Sequence, residues 1–365
     1  MDNNTNNQIL DFNKPLKFNK GHYDMVAKVA FPDDNAKYKD VDFKFRIDCK
    51  TSMSSEMLNV LNTFDERTWT STNKGIDTGF PLLNNAFQNG MPSGFYIVAA
   101  DSNVGKTTFT TQLSWQMLKH NDDIFVLDFS LDDPIIDKIS RLVGSLVMIN
   151  SKKVKFPNGE SDLILSRRAI GLTKLANNSD KYLCRDCTFG SSIEKIESEI
   201  ERVKIDLEVT RPDTKLIVFI DSFHDLCIDA EPNLSEATKF NKIAQWAADI
   251  AIKHDLVLVC TAELRKMEKD NIRPNLNSIR ESVKIRYEAK AIMLLYNDVH
   301  YNQDSAEIFR LDNKQRKCPV LEVHIAKNKI SSWKGRLFYN LFADEGHLVE
   351  CDEDNTKNYN KIIYK

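Results

Sequence analysis

Phe95-Tyr-Ile-Val-Ala-Ala-Asp-Ser-Asn-Val-Gly-Lys-Thr-Thr108 runs from an apolar strand pattern through a short polar loop into Phe109-Thr-Thr-Gln-Leu-Ser-Trp-Gln-Met-Leu118, where the apolar spacing is helical. A strand that breaks into a tight loop and then a helix aims several backbone N–H groups and the positive helix end at one small volume, where a polyphosphate is held. Ser102, Asn103, Val104, Gly105, Lys106, Thr107 and Thr108 are therefore expected to cradle a nucleoside triphosphate. Lys106 is placed to reach the β and γ phosphates, and the Thr107 hydroxyl to ligate Mg²⁺. Ala100 stands where the strict phosphate-loop pattern has its first glycine, so a search demanding both glycines passes over this segment.

Working outward from the loop, the order of patterns becomes strand, helix, strand, helix from about Gly75, the signature of a parallel sheet covered on both faces. Strands are expected at Phe95–Ala100, Ile124–Leu131, Lys181–Cys184, Leu216–Asp221, Leu256–Ala262 and Ala291–Tyr296, with helices over 105–119, 134–147, 191–208 and 234–253. Ile193, Ile196, Ile200 and Val203 share one face of the third helix, which leaves its charged face to solvent. Beyond residue 300, short strand patterns at Glu307–Leu311, Val320–Ala326 and Gly335–Phe342 read as an antiparallel extension. The basic stretch 150–180 reads as a surface insertion.

Before the core, residues 1–52 read as an appended segment with some β structure, because Val41–Ile47 alternates apolar and polar positions. The first twenty or so residues are polar and expected to be mobile. Residues 53–75 read as a linker helix, 76–351 as the nucleotide-binding domain and 352–365 as a flexible tail.

The chain has 365 residues, 28% of them charged, and a formal net charge of −3, so any nucleic-acid site must be a local basic patch. No apolar run approaches the roughly 20 residues that span a bilayer, and the N-terminus lacks a signal-peptide pattern, so a cytoplasmic location is expected, in a host if the protein is phage-encoded. Seven scattered cysteines suit a reducing compartment. Cys184-Arg-Asp-Cys187 is the one close pair, read either as structural thiols or as half of a zinc or redox site.

Lys215-Leu-Ile-Val-Phe-Ile-Asp221 is an apolar strand ending in a carboxylate. Ligands of such sheets sit at the carboxyl ends of the strands, so Asp221 is expected beside the 100–108 loop, holding Mg²⁺.

Several segments then resemble one family. Gly75-Ile-Asp-Thr-Gly-Phe-Pro-Leu-Leu-Asn-Asn85 is similar to the G-x-x-T-G-F-x-x-L-D entry of DnaB-type replicative helicases, and Val126-Leu-Asp-Phe-Ser-Leu-Asp-Asp-Pro134 to their F-S-L-E-M-P. Ile279-Arg-Glu-Ser282 resembles their L-R-E-S-G loop and Ile325-Ala-Lys-Asn-Lys329 their I-A-K-x-R segment. The resemblance covers about 75–350 and implies an α/β, RecA-like P-loop NTPase: a mainly parallel sheet flanked by helices, with a C-terminal antiparallel extension. It implies ATP and Mg²⁺ as ligands, a homo-oligomeric ring, a hexamer in this family, and hydrolysis at subunit interfaces coupled to movement on single-stranded DNA. Family members also meet a primase or a helicase loader. The N-terminal helical domain of bacterial DnaB has no counterpart in residues 1–75, which suggests a compact, phage-like version.

The same resemblance assigns roles. Asp132 stands where the family has the glutamate that polarises the attacking water, one methylene short; its alternative reading is a helix cap before Pro134. Glu263 occupies the place of the family's sensor glutamine. Arg141 falls where an arginine packs on the base. Lys327 and Lys329 lie in the segment that reaches a neighbour's γ-phosphate, with Lys in place of the finger arginine. Residues 265–290 hold eight basic and four acidic side chains, and Arg273, Arg280, Glu281, Lys284 and Arg286 are the expected DNA contacts, around Ser282. Two other readings stay open: a RecA- or RadA-like recombination ATPase on single-stranded DNA, and an ATP-binding assembly protein with weak hydrolysis.

Overall fold

A computed structural model describes the chain apart from residues 1–6, 10–13, 19–20, 33–37, 50, 70–74, 189, 266–272, 281–282 and 365. It divides into two compact units, Met1–Lys74 and Gly75–Lys365. In the first, β1 (Asn7–Ile9) lies parallel to β2 (Gly21–Pro32), and β2 pairs antiparallel along its length with β3 (Tyr38–Cys49). The alternation at 41–47 thus falls inside a long hairpin. Helix α1 (Ser52–Trp69) follows, and its Asn62 amide exchanges hydrogen bonds with the Phe18 backbone at 2.7 and 2.8 Å.

The second unit opens with α2 (Pro81–Ala86), then β4 (Gly94–Ala100), α3 (Lys106–His120), β5 (Ile124–Ser130) and α4 (Ile135–Val147). Next come α5 (Ser151–Lys155), α6 (Asp162–Ala176), β6 (Tyr182–Asp186), the two-residue β7 (Ser191–Ser192) and α7 (Ile193–Thr210). Strand β8 (Lys215–Asp221), the short β9 (Leu226–Cys227) paired with β7, α8 (Glu236–Lys253) and β10 (Val257–Glu263) continue the alternation. The last stretch holds α9 (Val283–Glu288), β11 (Ala291–Asn297), α10 (Asp298–Asn302), β12 (Phe309–Leu311), β13 (Lys317–Asn328), β14 (Gly335–Phe342), β15 (His347–Glu350) and α11 (Glu353–Ile363).

The sheet order is β15-β14-β13-β11-β4-β10-β8-β5-β6, with β12 on β13. From β11 to β6 the neighbours are parallel, and β13, β14 and β15 add antiparallel strands. The period-2 geometry of β4 divides its residues between the two faces: Tyr96, Val98 and Ala100 join a core with Phe109, Leu113 and Met117 of α3, whereas Phe95, Ile97 and Ala99 join another with Ile196 and Ile200 of α7 and Phe240 and Ala244 of α8.

The expected loose tail is a helix instead. Asp352 caps α11 by accepting from Asn355 N at 2.7 Å, and Tyr359, Ile362 and Ile363, one face of the helix, pack on Ile308, Val320 and Phe338. Residues 150–180 are likewise folded, as α5 and α6. Gly171 lies so near α4 that a Cβ there would meet Val143 Cγ1 at 2.7 Å. Of the segment expected to be mobile at the start, residues 1–6 lie outside the described residues and Asn7–Ile9 is a strand.

Candidate functional site

The loop between β4 and α3 has the geometry its sequence demands. Asn103 adopts φ 62° and Gly105 φ 122°, a left-handed conformation that only glycine takes without strain at the latter value. Gly105 caps α3, whose first turn carries no acidic side chain, so the orphan amides and the positive end of a 15-residue helix stay available to an anion. Lys106 Nζ donates to the carbonyls of Ala100 at 3.0 Å and Asp101 at 3.4 Å, folded over the loop.

Register brings the other strand ends to this loop. Glu263 pairs with Ala100 across β10 and β4, and Ser130 pairs with Asp221 across β5 and β8. The Asp221 carbonyl accepts from Leu131 N at 2.5 Å and Asp132 N at 3.0 Å, which holds the turn after β5 against the end of β8. A cavity of about 340 Å³ results, lined by Asp101–Asn103, Gly105–Thr108, Asp132, Asp133, Arg141, Glu263, Leu341 and Ala343.

Asp221 is 2% exposed; its Oδ1 accepts from Thr261 Oγ1 at 2.5 Å and its Oδ2 has no partner among the described residues. An orphaned, buried carboxylate oxygen is expensive unless a cation meets it. Together with the Thr107 hydroxyl in the cavity wall it fits a hard, oxygen-seeking ion such as Mg²⁺. The Asp132 carboxyl is held above its ordinary range by partial burial, then by the charges of Asp133, Asp225 and Asp221, with Lys106 opposing. A carboxylate made more basic by its surroundings is suited to accept a proton.

Arg141 reaches the cavity from α4 and pairs with Asp133. Its helix is fixed by a fully buried ion pair one turn earlier: Lys138 Nζ lies 2.5 Å from Asp128 Oδ1, and Tyr182 OH donates to Asp128 Oδ2 at 2.9 Å. Every charge in that trio is met, which is the condition for burying one.

Lys327 and Lys329 lie elsewhere. Lys327 pairs with Ile292, the second residue of β11, which pairs with Ile97 in the middle of β4, and Lys329 N bonds the Lys290 carbonyl just before β11 begins, whereas the cavity lies at the carboxyl end of β4. Lys327 Nζ donates to the carbonyls of Arg286 at 2.5 Å and Tyr287 at 2.9 Å, and Lys329 Nζ to that of Tyr287 at 2.6 Å. Both lysines thus sit on the last turn of α9, where carbonyls lack helical partners. Burial, then the neighbouring Lys329 charge, lowers the Lys327 ammonium to about 8. Within one chain these lysines and the cavity do not meet.

Of the expected DNA contacts, Arg273 is engaged within its own chain. Its guanidinium grips Glu322, which is 1% exposed, at 2.8–3.1 Å, stacks 4.8 Å from the Tyr296 ring centre and shares the carboxylate with Arg336 at 3.5 Å. A buried carboxylate needs that charge. Lys284 reaches Gln245 Oε1 at 2.5 Å and Arg286 bonds Asn277. Arg280 pairs with Glu263 at 3.1 Å. Glu281 and Ser282 lie outside the described residues.

Cys184 and Cys187 are free thiols; burial pushes Cys184 up to about 12, and no third ligand atom joins them among the described residues. Thr261, Leu341 and Ala343 join the site without a local motif to announce them, since their role comes from strands and turns brought together by the fold. Thr261 alone leaves a trace in the sequence, a hydroxyl two residues before the strand-end Glu263.

A family model of the DnaB-like helicase C-terminal domain matches residues 75–334. The replicative DNA helicase DnaB of Pasteurella multocida is 26% identical over 262 residues, 69% of this chain and 53% of that protein, and DnaB of Haemophilus influenzae is 26% identical over 266 residues, 70% and 53%. The chain thus spans about half the length of these curated relatives. A solved ATPase domain superposes with a TM-score of 0.68 at 23% identity, covering 83% of this chain and 100% of that one. A DnaB-like replicative helicase solved in work on its interactions with primase superposes with a TM-score of 0.67 at 23% identity, covering 84% and 68%. The fold is that of these two structures, and the chain belongs to the DnaB-like helicase C-terminal domain family.

Proposed function

We propose that this protein is an ATP-driven replicative helicase that moves on single-stranded DNA as a homo-oligomeric ring. The observation that carries the reading is the separation of two half-sites: a phosphate cradle with its carboxylates at one end of the sheet, and a lysine pair at the other. Only a second copy, placed head to tail, brings one against the other, and repetition of such a contact closes a ring. Family membership and the DnaB relatives support the same assembly.

In this reading the amides of 102–108 and Lys106 hold the phosphates, and Arg141 packs by the base. Thr107 and Asp221 would hold Mg²⁺, which would neutralise phosphate charge when bound. Asp132 orients a water and takes its proton, while Lys327 and Lys329 of the adjoining copy stabilise charge on the transferred phosphoryl group. Arg280, Lys284 and Arg286 offer cations to the phosphates of one DNA strand, and a primase is a further partner class.

ATP hydrolysis measured with and without single-stranded DNA, for wild type and Lys106→Ala, tests the proposal. A wild type that hydrolyses ATP faster on DNA, with the variant reduced about 10²-fold or more, is expected. A wild type no faster than the variant contradicts both this function and a recombination ATPase, and leaves the assembly-protein reading. Helical filaments in place of rings in electron micrographs would favour the recombination reading.

A further inference from the structure

We infer that His224 is a positioning residue that couples the nucleotide cavity to the DNA-contacting segment, by clamping Glu263 and Arg280 in one register. The inference rests on the function proposed above, and it concerns a side chain that lines neither the cavity nor the basic segment.

His224 lies in the short 3-10 turn Phe223–Asp225, three residues after Asp221. Its Nδ1 accepts the backbone N–H of Glu263 at 3.1 Å, and its Nε2 faces the Arg280 carbonyl at 3.4 Å. An N–H aimed at Nδ1 requires a lone pair there, so the proton of the neutral ring is on Nε2 and points at a carbonyl. Burial, partly opposed by the Arg280 contact, keeps the imidazole below its ordinary range, in agreement with that neutral tautomer. The edges of two rings hold its plane: Phe240 at 4.9 Å and 69°, and Phe223 at 5.6 Å and 77°.

The two residues it joins are the ends of the route from one ligand to the other. Glu263 lines the nucleotide cavity. Arg280 N donates to the Glu263 carbonyl at 3.1 Å, their side chains pair at 3.1 Å, and a bridge between Leu264 and Ile279 with Arg265 N on the Ser278 carbonyl at 2.8 Å continues the ladder. Three residues beyond Arg280, α9 begins and carries Lys284 and Arg286. A shift of the strand end at Glu263 must therefore move Arg280, or else break both His224 bonds. The imidazole turns two flexible contacts into one rigid unit, the property that lets occupancy at one site bias the other.

The test is the affinity for a fluorescent oligothymidine strand, measured by anisotropy with and without a non-hydrolysable ATP analogue, for wild type, His224→Phe and His224→Gln. Phe fills the space with no polar atom, and Gln presents one acceptor and one donor at similar reach. In the wild type the analogue changes DNA affinity by about fivefold or more. His224→Phe should bring the ratio below about twofold while analogue affinity and melting temperature stay at wild-type values, and His224→Gln should restore most of it. A His224→Phe ratio equal to wild type overturns the inference, as does a loss shared by both variants together with analogue affinity and thermal stability, which marks a merely structural residue. A wild type that binds both ligands with a ratio of 1 also overturns it while leaving the helicase reading intact. A wild type that binds no DNA defeats that reading, and this inference with it.

Discussion

The two ends of the central strands carry the same residue type in opposite settings. At the carboxyl ends, Lys106 lines the cavity with Asp132, Asp133 and Glu263, and the nearby strand-end Asp221 has an Oδ2 without a partner among the described residues. At the amino ends, Lys327 and Lys329 rest on the carbonyls that close α9. The first lysine is built to hold an anion in its own chain. The second pair is held on a helix terminus and, under the proposed function, would meet an anion carried by another copy. The contrast teaches that the cavity and the lysine pair do not meet within one chain, which is why the proposed function needs a second copy to join them.

Replacing both Lys327 and Lys329 by Ala is expected to reduce turnover about 10³-fold while nucleotide affinity, read by a fluorescent ATP analogue, is kept, because the binding half-site is untouched. An equal loss of affinity would place the lysines in their own chain's cavity and break the comparison. Asp132→Asn should lower turnover by about 10² with affinity again kept, as removal of a positioned base does. Unchanged turnover would remove Asp132 from the chemistry; it does not cap α4, whose N-cap is Pro134 without a side-chain cap.

Arg273→Ala tests whether that residue contacts DNA or only holds Glu322. It leaves the buried Glu322 with only Arg336 at 3.5 Å, and a loss of about 3 kcal/mol of stability is expected in chemical denaturation, with little change in the salt slope of DNA binding. A normal melt with weakened DNA binding would return Arg273 to the DNA contacts.

pH sharpens the comparison. Lys327 is held at about 8, below the usual lysine value, so it is charged below pH 8 and loses its proton as pH rises through 8. Because kcat/KM reports the free enzyme, it should fall by about tenfold per pH unit above that point, and Lys327→Arg, charged throughout, should flatten the fall. The smallest effect is expected from Lys284→Ala, which should reduce the salt slope of DNA binding by about 1 per DNA-contacting subunit.

What can be read from the chain follows the range of each interaction. The phosphate loop, Asp221 and the alternation of strands and helices are local patterns, and each lies where its spacing requires. Helix α11 hides behind a polar composition, although Asp352 before Tyr359, Ile362 and Ile363 holds both a cap and an apolar face. Arg273 looks like one of a run of cations because its partner Glu322 is 49 residues away and nothing near Arg273 announces it. His224 shows no pattern at all, since its meaning comes from two backbone groups on segments 39 and 56 residues away.

Mixing the two kinds of disabled subunit addresses the central claim most directly. Lys106→Ala chains carry an intact lysine pair and Lys327→Ala/Lys329→Ala chains an intact cradle, so each population alone should be nearly inactive in DNA-stimulated ATP hydrolysis. Co-assembled in equal amounts, roughly a quarter of the interfaces would join two intact halves, and activity should reappear at up to about that fraction of wild type. A mixture no more active than its two components would contradict a site shared between subunits.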